Sequence, residues 1–147
     1  MINFIEGRIN LGAKNIVATS DYEHLNALAE EGVIERRENG RGETYYYVES
    51  VAEDMRFGVF IRLREKRIKW LVLHWLDGPC TSKGWDGVSE RLLKEEYSLL
   101  SNFVEKRVGS PPNNKKNRQH TWHVQWGQID VNYDQRDFVV AVFMIPR

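Results

Sequence analysis

The stretch Met55-Arg56-Phe57-Gly58-Val59-Phe60-Ile61-Arg62-Leu63-Arg64 decides the fold. Apolar side chains occupy every second position from Met55 to Leu63, which is the period of a β-strand with one buried face. Glu65-Lys66 then predicts a turn into a second strand, Ile68 to Trp75. Trp70 to Leu73 is apolar at every position, which is typical of a central strand covered on both faces.

A second pair of strands is predicted near the C-terminus. Alternation runs from Trp122 to Trp126, and Gly127 indicates a β-bulge. The alternation resumes from Ile129 to Tyr133, and Phe138 to Ile145 forms the returning strand. Because the apolar faces of the two hairpins match, we expect both in one antiparallel sheet.

Two helices accompany these strands. Ser20 to Glu31 begins with a capping-box pattern and is followed by Gly32, a residue that often ends helices. Val88 to Val108 is longer, with Asp86 as a candidate cap and Gly109 at its end. We expect the long helix to pack across the sheet through an apolar stripe at helical spacing. The stripe consists of Leu93, Tyr97, Leu100 and Val104.

The remaining segments add shorter elements. Ile2 to Leu11 is a candidate first strand, and Val33 to Arg37 with Thr44 to Val51 forms a hairpin around Asn39-Gly40. Leu76 to Gly87 is predicted as a loop. The polar and basic stretch from Asn113 to His120 has no periodicity, so we expect it to be mobile.

The predicted architecture is α+β, with an antiparallel sheet of about five to seven strands, one long helix and one short helix. A chain of 147 residues is expected to fold as a single domain, residues 1–147, around one core. No apolar run reaches the ~20 residues of a membrane span, and the N-terminus lacks the pattern of a secretory signal. A single cysteine, Cys80, fits a reducing compartment, so a cytoplasmic location without membrane contact is expected.

Charge is balanced overall but uneven along the chain. Lysine plus arginine and aspartate plus glutamate each total 21, so no global field favours nucleic acid. Residues 1–50 contain five basic and nine acidic side chains, whereas the strand region that follows is basic. A cluster of basic residues can bind the phosphate backbone of a nucleic acid. Basic residues on a strand also protect a sheet edge from aggregation, and this is the first interpretation here, with nucleic-acid binding second. The basic residues are Arg56, Arg62, Arg64, Lys66, Arg67 and Lys69.

Three groups of residues are candidates for chemistry. His120 and His123 are three apart on a predicted strand, so their rings diverge and do not form a metal pair. His74, Cys80 and Asp86 have the residue types of a catalytic base, a nucleophilic thiol and an orienting carboxylate. Because such groups meet in space and not in sequence, their presence alone does not predict a nucleophilic active site.

Glu95 and Glu96 are adjacent on the long helix, where neighbours point about 100° apart, so a solvated helix face is expected. No catalytic residue, cofactor or metal is predicted.

The C-terminal part carries short motifs around its helix and last strands: Gly84-Trp85-Asp86, Ser89-Glu90, Trp126-Gly127, Tyr133-Asp134 and Arg136. This part resembles small uncharacterised bacterial proteins of the immunity type, whose genes neighbour toxin genes. The chain departs from that pattern at its last hairpin turn, where Asp134-Gln135-Arg136-Asp137 replaces a Gly-Ser-rich turn. The resemblance implies a compact, non-catalytic α+β protein whose surface binds another protein.

We therefore predict a protein-binding module, and specifically an immunity-type inhibitor of a toxin. The acidic N-terminal part would attract a cationic toxin domain, and Trp85, in a glycine-flanked loop, either packs down or anchors an interface. A nucleic-acid-binding protein or a small enzyme is the alternative. The predicted partner-binding residues are Glu23, Glu30, Glu31, Glu35, Trp85, Lys115 and Lys116.

Overall fold

The hairpin predicted from Met55 onward lies inside an eight-stranded antiparallel sheet. A computed structural model describes all 147 residues. The strand order is β4-β5-β6-β7-β11-β10-β9-β8, and a separate small sheet has the order β1-β2-β3. The strands are β1 (Ile2–Asn3), β2 (Arg8–Leu11), β3 (Lys14–Val17), β4 (Glu35–Glu38), β5 (Thr44–Ala52), β6 (Met55–Arg64), β7 (Arg67–Trp75), β8 (Asn114–Lys116), β9 (Gln119–Val124), β10 (Gly127–Asp134) and β11 (Val139–Pro146). The helices are α1 (Tyr22–Glu30) and α2 (Glu90–Val108), with a 3₁₀ turn at Thr81–Lys83.

The α+β class and the shared sheet of the two hairpins are confirmed. Strand β7 pairs with β11, so that Leu73 lies opposite Val142. The predicted number of strands is wrong, because the main sheet has eight strands and three more form the small sheet. The additional strands are two to four residues long, too short to show a hydrophobic period.

A β-bulge in the first hairpin decides which side chains face the core. Arg62 pairs with Trp70 but Leu63 pairs with Ile68, which leaves Lys69 as an extra residue on β7. The extra residue reverses the alternation at this point. Ile68 therefore faces the buried side, and Trp70 faces the opposite side with Arg62.

The inner face of the main sheet forms the core together with α1, α2 and the small sheet. Phe57 on β6 stacks on Phe103 of α2 with ring centroids 5.6 Å apart, and Phe4 of the N-terminal segment meets the same ring at 5.9 Å. The predicted stripe of α2 is buried throughout. Ser89, not Asp86, caps this helix by accepting a hydrogen bond from the backbone N–H of Leu92.

The predicted single strand from Ile2 to Leu11 is interrupted by a turn. Gly7 lies in this turn with a φ of 64°, and its α-carbon faces the indole ring of Trp126. A β-carbon at Gly7 would lie 2.8 Å from that ring, so only glycine fits. The indole N–H of Trp126 donates a hydrogen bond to the carbonyl oxygen of Phe4 at 2.9 Å, which ties the small sheet to the C-terminal hairpin.

Two expectations for the C-terminal half need correction. The segment expected to be mobile contains β8, which pairs with β9 from Asn114 opposite Thr121 to Lys116 opposite Gln119. No bulge occurs at Gly127, which pairs in register with Val124 and with Pro146. Glycine is required there because a β-carbon would lie 2.1 Å from the carbonyl oxygen of Ile145. Neither helix of the protein is long and apolar enough to cross a membrane.

Candidate binding face

The outer face of the main sheet lacks a covering layer. The helices and the small sheet pack on the inner face, whereas the outward side chains of the central strands stay mostly half-buried. We call the aromatic part of this surface the open face. It consists of Tyr45 and Tyr47 on β5, Phe60 on β6, Trp70, Val72 and His74 on β7, and Phe143 on β11.

The rings of the open face pack against one another across the strands. Phe60 lies 4.9 Å from Tyr47 and 5.9 Å from Tyr45, measured between ring centroids. The ring of His74 meets Phe60 edge-on at 5.4 Å, and Trp70 meets Phe143 edge-on at 5.9 Å. These contacts hold the rings in place while leaving their outer sides accessible, which is the arrangement of a preformed contact surface.

Positive side chains surround these rings. The Arg37 guanidinium lies 4.0 Å from the centroid of Tyr47, and the Lys69 ammonium lies 4.3 Å from that of Trp70. Arg37 also donates two hydrogen bonds to the carboxylate of Glu35, at 2.9 and 3.0 Å. This partner lowers the pKa of Glu35. The surface therefore combines aromatic rings, cations and carboxylates within a few residues.

A shallow cavity of about 170 Å³ opens within the open face. The Arg62 guanidinium at its side forms no hydrogen bond within the protein, and its nearest carboxylate, Glu43, lies 3.7 Å away. Burial lowers the pKa of His74, which favours the neutral form of its ring. The cavity is lined by Tyr45, Phe60, Arg62, Trp70, Val72 and His74.

Beyond β11 the same outer surface becomes polar. Asp130 on β10 is buried and accepts a hydrogen bond from the Thr121 hydroxyl at 2.7 Å. Gln128 donates its side-chain amide to the same carboxylate at 3.1 Å. With its hydrogen bonds satisfied inside the sheet, Asp130 forms a rigid polar border to the open face.

The predicted partner-binding residues do not form one patch. Glu35 lies on β4, at one edge of the main sheet, and Lys115 and Lys116 lie on β8 at the other edge. Seven strand spacings separate these edges, which corresponds to about 33 Å across the sheet. Glu23, Glu30 and Glu31 are exposed on or just after α1.

Trp85 is the most exposed large apolar side chain, at 72% of its full accessible surface. Its ring touches only the edge of Phe138, at 6.4 Å between centroids. The side chain therefore stands out from the protein and does not pack down on it, and its role as an interface anchor stays a prediction. Its loop precedes α2 and belongs to a different region from the open face.

The structure does not bring His74, Cys80 and Asp86 together as a catalytic group. His74 belongs to the open face, whereas Cys80 is buried beside Glu96. Burial, together with the nearby Glu96 carboxyl, raises the pKa of the Cys80 thiol, which opposes formation of a thiolate. No three histidine, cysteine, aspartate or glutamate side chains lie close enough together to hold a metal ion.

The expectation of a solvated Glu96 is wrong, since this side chain is fully buried. Its Oε1 accepts hydrogen bonds from the backbone N–H groups of Cys80 at 3.1 Å and Thr81 at 2.9 Å. Its Oε2 accepts one from the Thr81 hydroxyl at 2.8 Å. Burial raises the pKa of Glu96, partly offset by these donors. The carboxyl group anchors the loop after β7 to α2, and no local sequence signal marks this role.

The open face has a partial signal in the sequence, namely the unbroken apolar run Trp70 to Leu73. That run predicted covering on both faces, but only the inner face is covered. No protein-family model, curated protein or solved structure matches this chain. The resemblance to immunity-type proteins therefore stays a prediction.

Proposed function

We propose that this protein is a non-catalytic protein-binding module whose main contact surface is the open face. The observation that carries the proposal is a preformed aromatic surface on a rigid sheet, left uncovered by the chain itself. Tyrosine, tryptophan and arginine dominate the energetic centres of protein interfaces, and all three occur here. An immunity-type inhibitor, which would act by covering the working surface of a toxin, is the specific form that we propose.

Aromatic rings and arginines also occur in sites for single-stranded nucleic acid, which is the alternative function. Here two of the three cations near the rings have carboxylate neighbours, since Arg37 pairs with Glu35 and Arg62 lies near Glu43, whereas Lys69 has none. A phosphate backbone would meet these carboxylates as well as the cations, and its affinity depends on net positive charge. The electrostatics of the surface therefore favour a protein partner.

The proposed function predicts that the open face is needed for complex formation with the toxin that such an inhibitor would neutralise. The double variant Trp70→Ser, Phe143→Ser is expected to weaken that complex at least 100-fold, because it removes two central aromatic contacts. Isothermal titration calorimetry measures the loss, and circular dichroism checks that the variant is folded. The matched control is Leu99→Ser, which changes an exposed apolar residue of α2 on the opposite side of the sheet. Equal affinity of the double variant and the wild type would contradict the proposal.

The acidic α1 surface makes a separate prediction about association rate. Glu30→Lys combined with Glu31→Lys is expected to slow association with a cationic partner and to reduce its salt sensitivity. Stability is expected to change by only about 0.5 kcal/mol, because both side chains are exposed. Stopped-flow association at low and high ionic strength measures the effect. An unchanged rate at low salt would show that this acidic surface does not guide docking.

A further inference from the structure

The cavity in the open face has the size of one side chain. Its volume of about 170 Å³ lies below the ~300–1,000 Å³ of typical small-molecule sites. Three aromatic rings, those of Tyr45, Phe60 and Trp70, form most of its apolar wall, together with Val72. Such a wall favours a flat or bulky apolar group, which displaces water from the rings when it enters.

One group in the cavity has unused hydrogen-bonding capacity. Arg62 is partly buried, at 33% side-chain exposure, yet its guanidinium donates no hydrogen bond within the protein. Glu43 approaches to 3.7 Å, which is an ion-pair distance but too long for a hydrogen bond. A guanidinium offers five N–H donors in a planar fork that matches a carboxylate. The position is therefore complementary to an incoming anion.

The other charged and titratable neighbours limit what that anion can be. Burial lowers the pKa of His74 and so favours its neutral ring, which leaves Arg62 as the only arginine or lysine that lines the cavity. Lys69 lies against the ring of Trp70, outside the residues that line the cavity. Glu43 forms an ion pair with Arg62 at 3.7 Å but lies outside the residues that line the cavity, so the guanidinium N–H groups on the cavity side remain free for an incoming carboxylate. A phosphate group would find only one cation within the cavity, and that cation already has a carboxylate neighbour. A single carboxylate beside an apolar group matches both the charge and the volume.

We propose that this cavity receives one aromatic side chain of a partner protein, with an adjacent carboxylate of the same partner bound by Arg62. The proposal rests on the proposed function, since it names the chemistry that the open face recognises. It assigns Arg62 as the residue that selects for negative charge and the rings of Phe60 and Trp70 as those that select for the aromatic group.

Small probes test this without the partner. N-acetyl-phenylalanine carries both features, N-acetyl-phenylalanine amide lacks the carboxylate, and N-acetyl-alanine lacks the ring. Titrations followed by ¹H–¹⁵N chemical shifts are expected to show millimolar binding of the first probe, with shifts at Phe60, Arg62 and the Trp70 indole. The amide is expected to bind about tenfold more weakly, because one charge-assisted hydrogen-bonded pair is lost. N-acetyl-alanine is expected to cause no saturable shift.

The variant Arg62→Gln is expected to remove the difference between the acid and the amide while keeping the binding of the ring. Arg56→Gln is the matched control, because Arg56 is on the same face of β6 but is hydrogen-bonded to Asp77 and outside the cavity. Equal affinities for acid and amide in the wild-type protein, or shifts confined to other regions, would overturn the proposal. If the probes fail but Trp70→Ser, Phe143→Ser abolishes the protein complex, only the cavity assignment is wrong. If the probes bind and the complex survives that double variant, the proposed function is wrong.

Discussion

Replacing Leu100 with alanine is expected to lower the free energy of unfolding by about 2–5 kcal/mol. Leu100 has no accessible surface and lies on the buried stripe of α2, against the inner face of the main sheet. The substitution removes apolar contacts and leaves a cavity that a sheet-backed core fills only in part. Urea denaturation followed by tryptophan fluorescence gives the change, provided that the slope with urea stays constant.

The neighbouring residue provides the control for that experiment. Leu99 belongs to the same helix and undergoes the same change in helix propensity on substitution, but it is 42% exposed. Leu99→Ala is expected to change stability by only about 0.5 kcal/mol. If both substitutions cost the same, the helix does not pack on the sheet through the stripe described here.

Replacing Glu96 with alanine is expected to lower the free energy of unfolding by about 2–4 kcal/mol, because it leaves buried hydrogen-bond donors without an acceptor. The N–H of Cys80 is buried, and the N–H and hydroxyl of Thr81 point to the same carboxyl group. No other side chain in the structure accepts from these groups. The loop after β7 would lose its attachment to α2, which thermal unfolding at neutral pH would register as a lower Tm.

Glu96→Gln separates the role of charge from that of hydrogen bonding. The amide oxygen can still accept from the two N–H groups, and the amide nitrogen can donate to the Thr81 hydroxyl. Because the folded-state pKa of Glu96 is raised above its ordinary value of 4.5, the folded chain holds this proton more tightly than the unfolded chain. The contribution of Glu96 to stability therefore falls as the pH rises from about 4.5 through the folded-state pKa, and is constant above it.

Unfolding measurements between pH 4 and pH 7 are expected to show this loss in the wild-type protein relative to Glu96→Gln. The quantity compared is the difference in the free energy of unfolding between the two proteins at each pH, because the contributions of all other titrating groups cancel in it. If the wild type instead becomes more stable relative to Glu96→Gln as the pH rises, hydrogen bonding outweighs burial and the pKa of Glu96 is lowered in the folded state.

The hairpins and the long helix were predictable because their signals are local. The alternation from Met55 to Leu63 and the stripe of α2 each depend on residues a few positions apart. The turn at Glu65-Lys66 also follows from neighbours, and both residues have the positive φ that a tight hairpin needs. Strand β8 was missed because its three polar residues are ordered only by pairing with β9.

The sequence by itself determined the α+β class, the bounds of β6, and the apolar stripe that joins α2 to the sheet. Only the tertiary structure decided which face stays open, because the elements that cover the other face come from distant parts of the chain. The extra residue at Lys69 lets Ile68 face the core while Trp70 faces outward. The same holds for Glu96, whose donors lie 15 and 16 residues away across a loop. Burial and hydrogen-bond partnership depend on groups that folding brings together, so the spacing of apolar residues along the sequence does not reveal them.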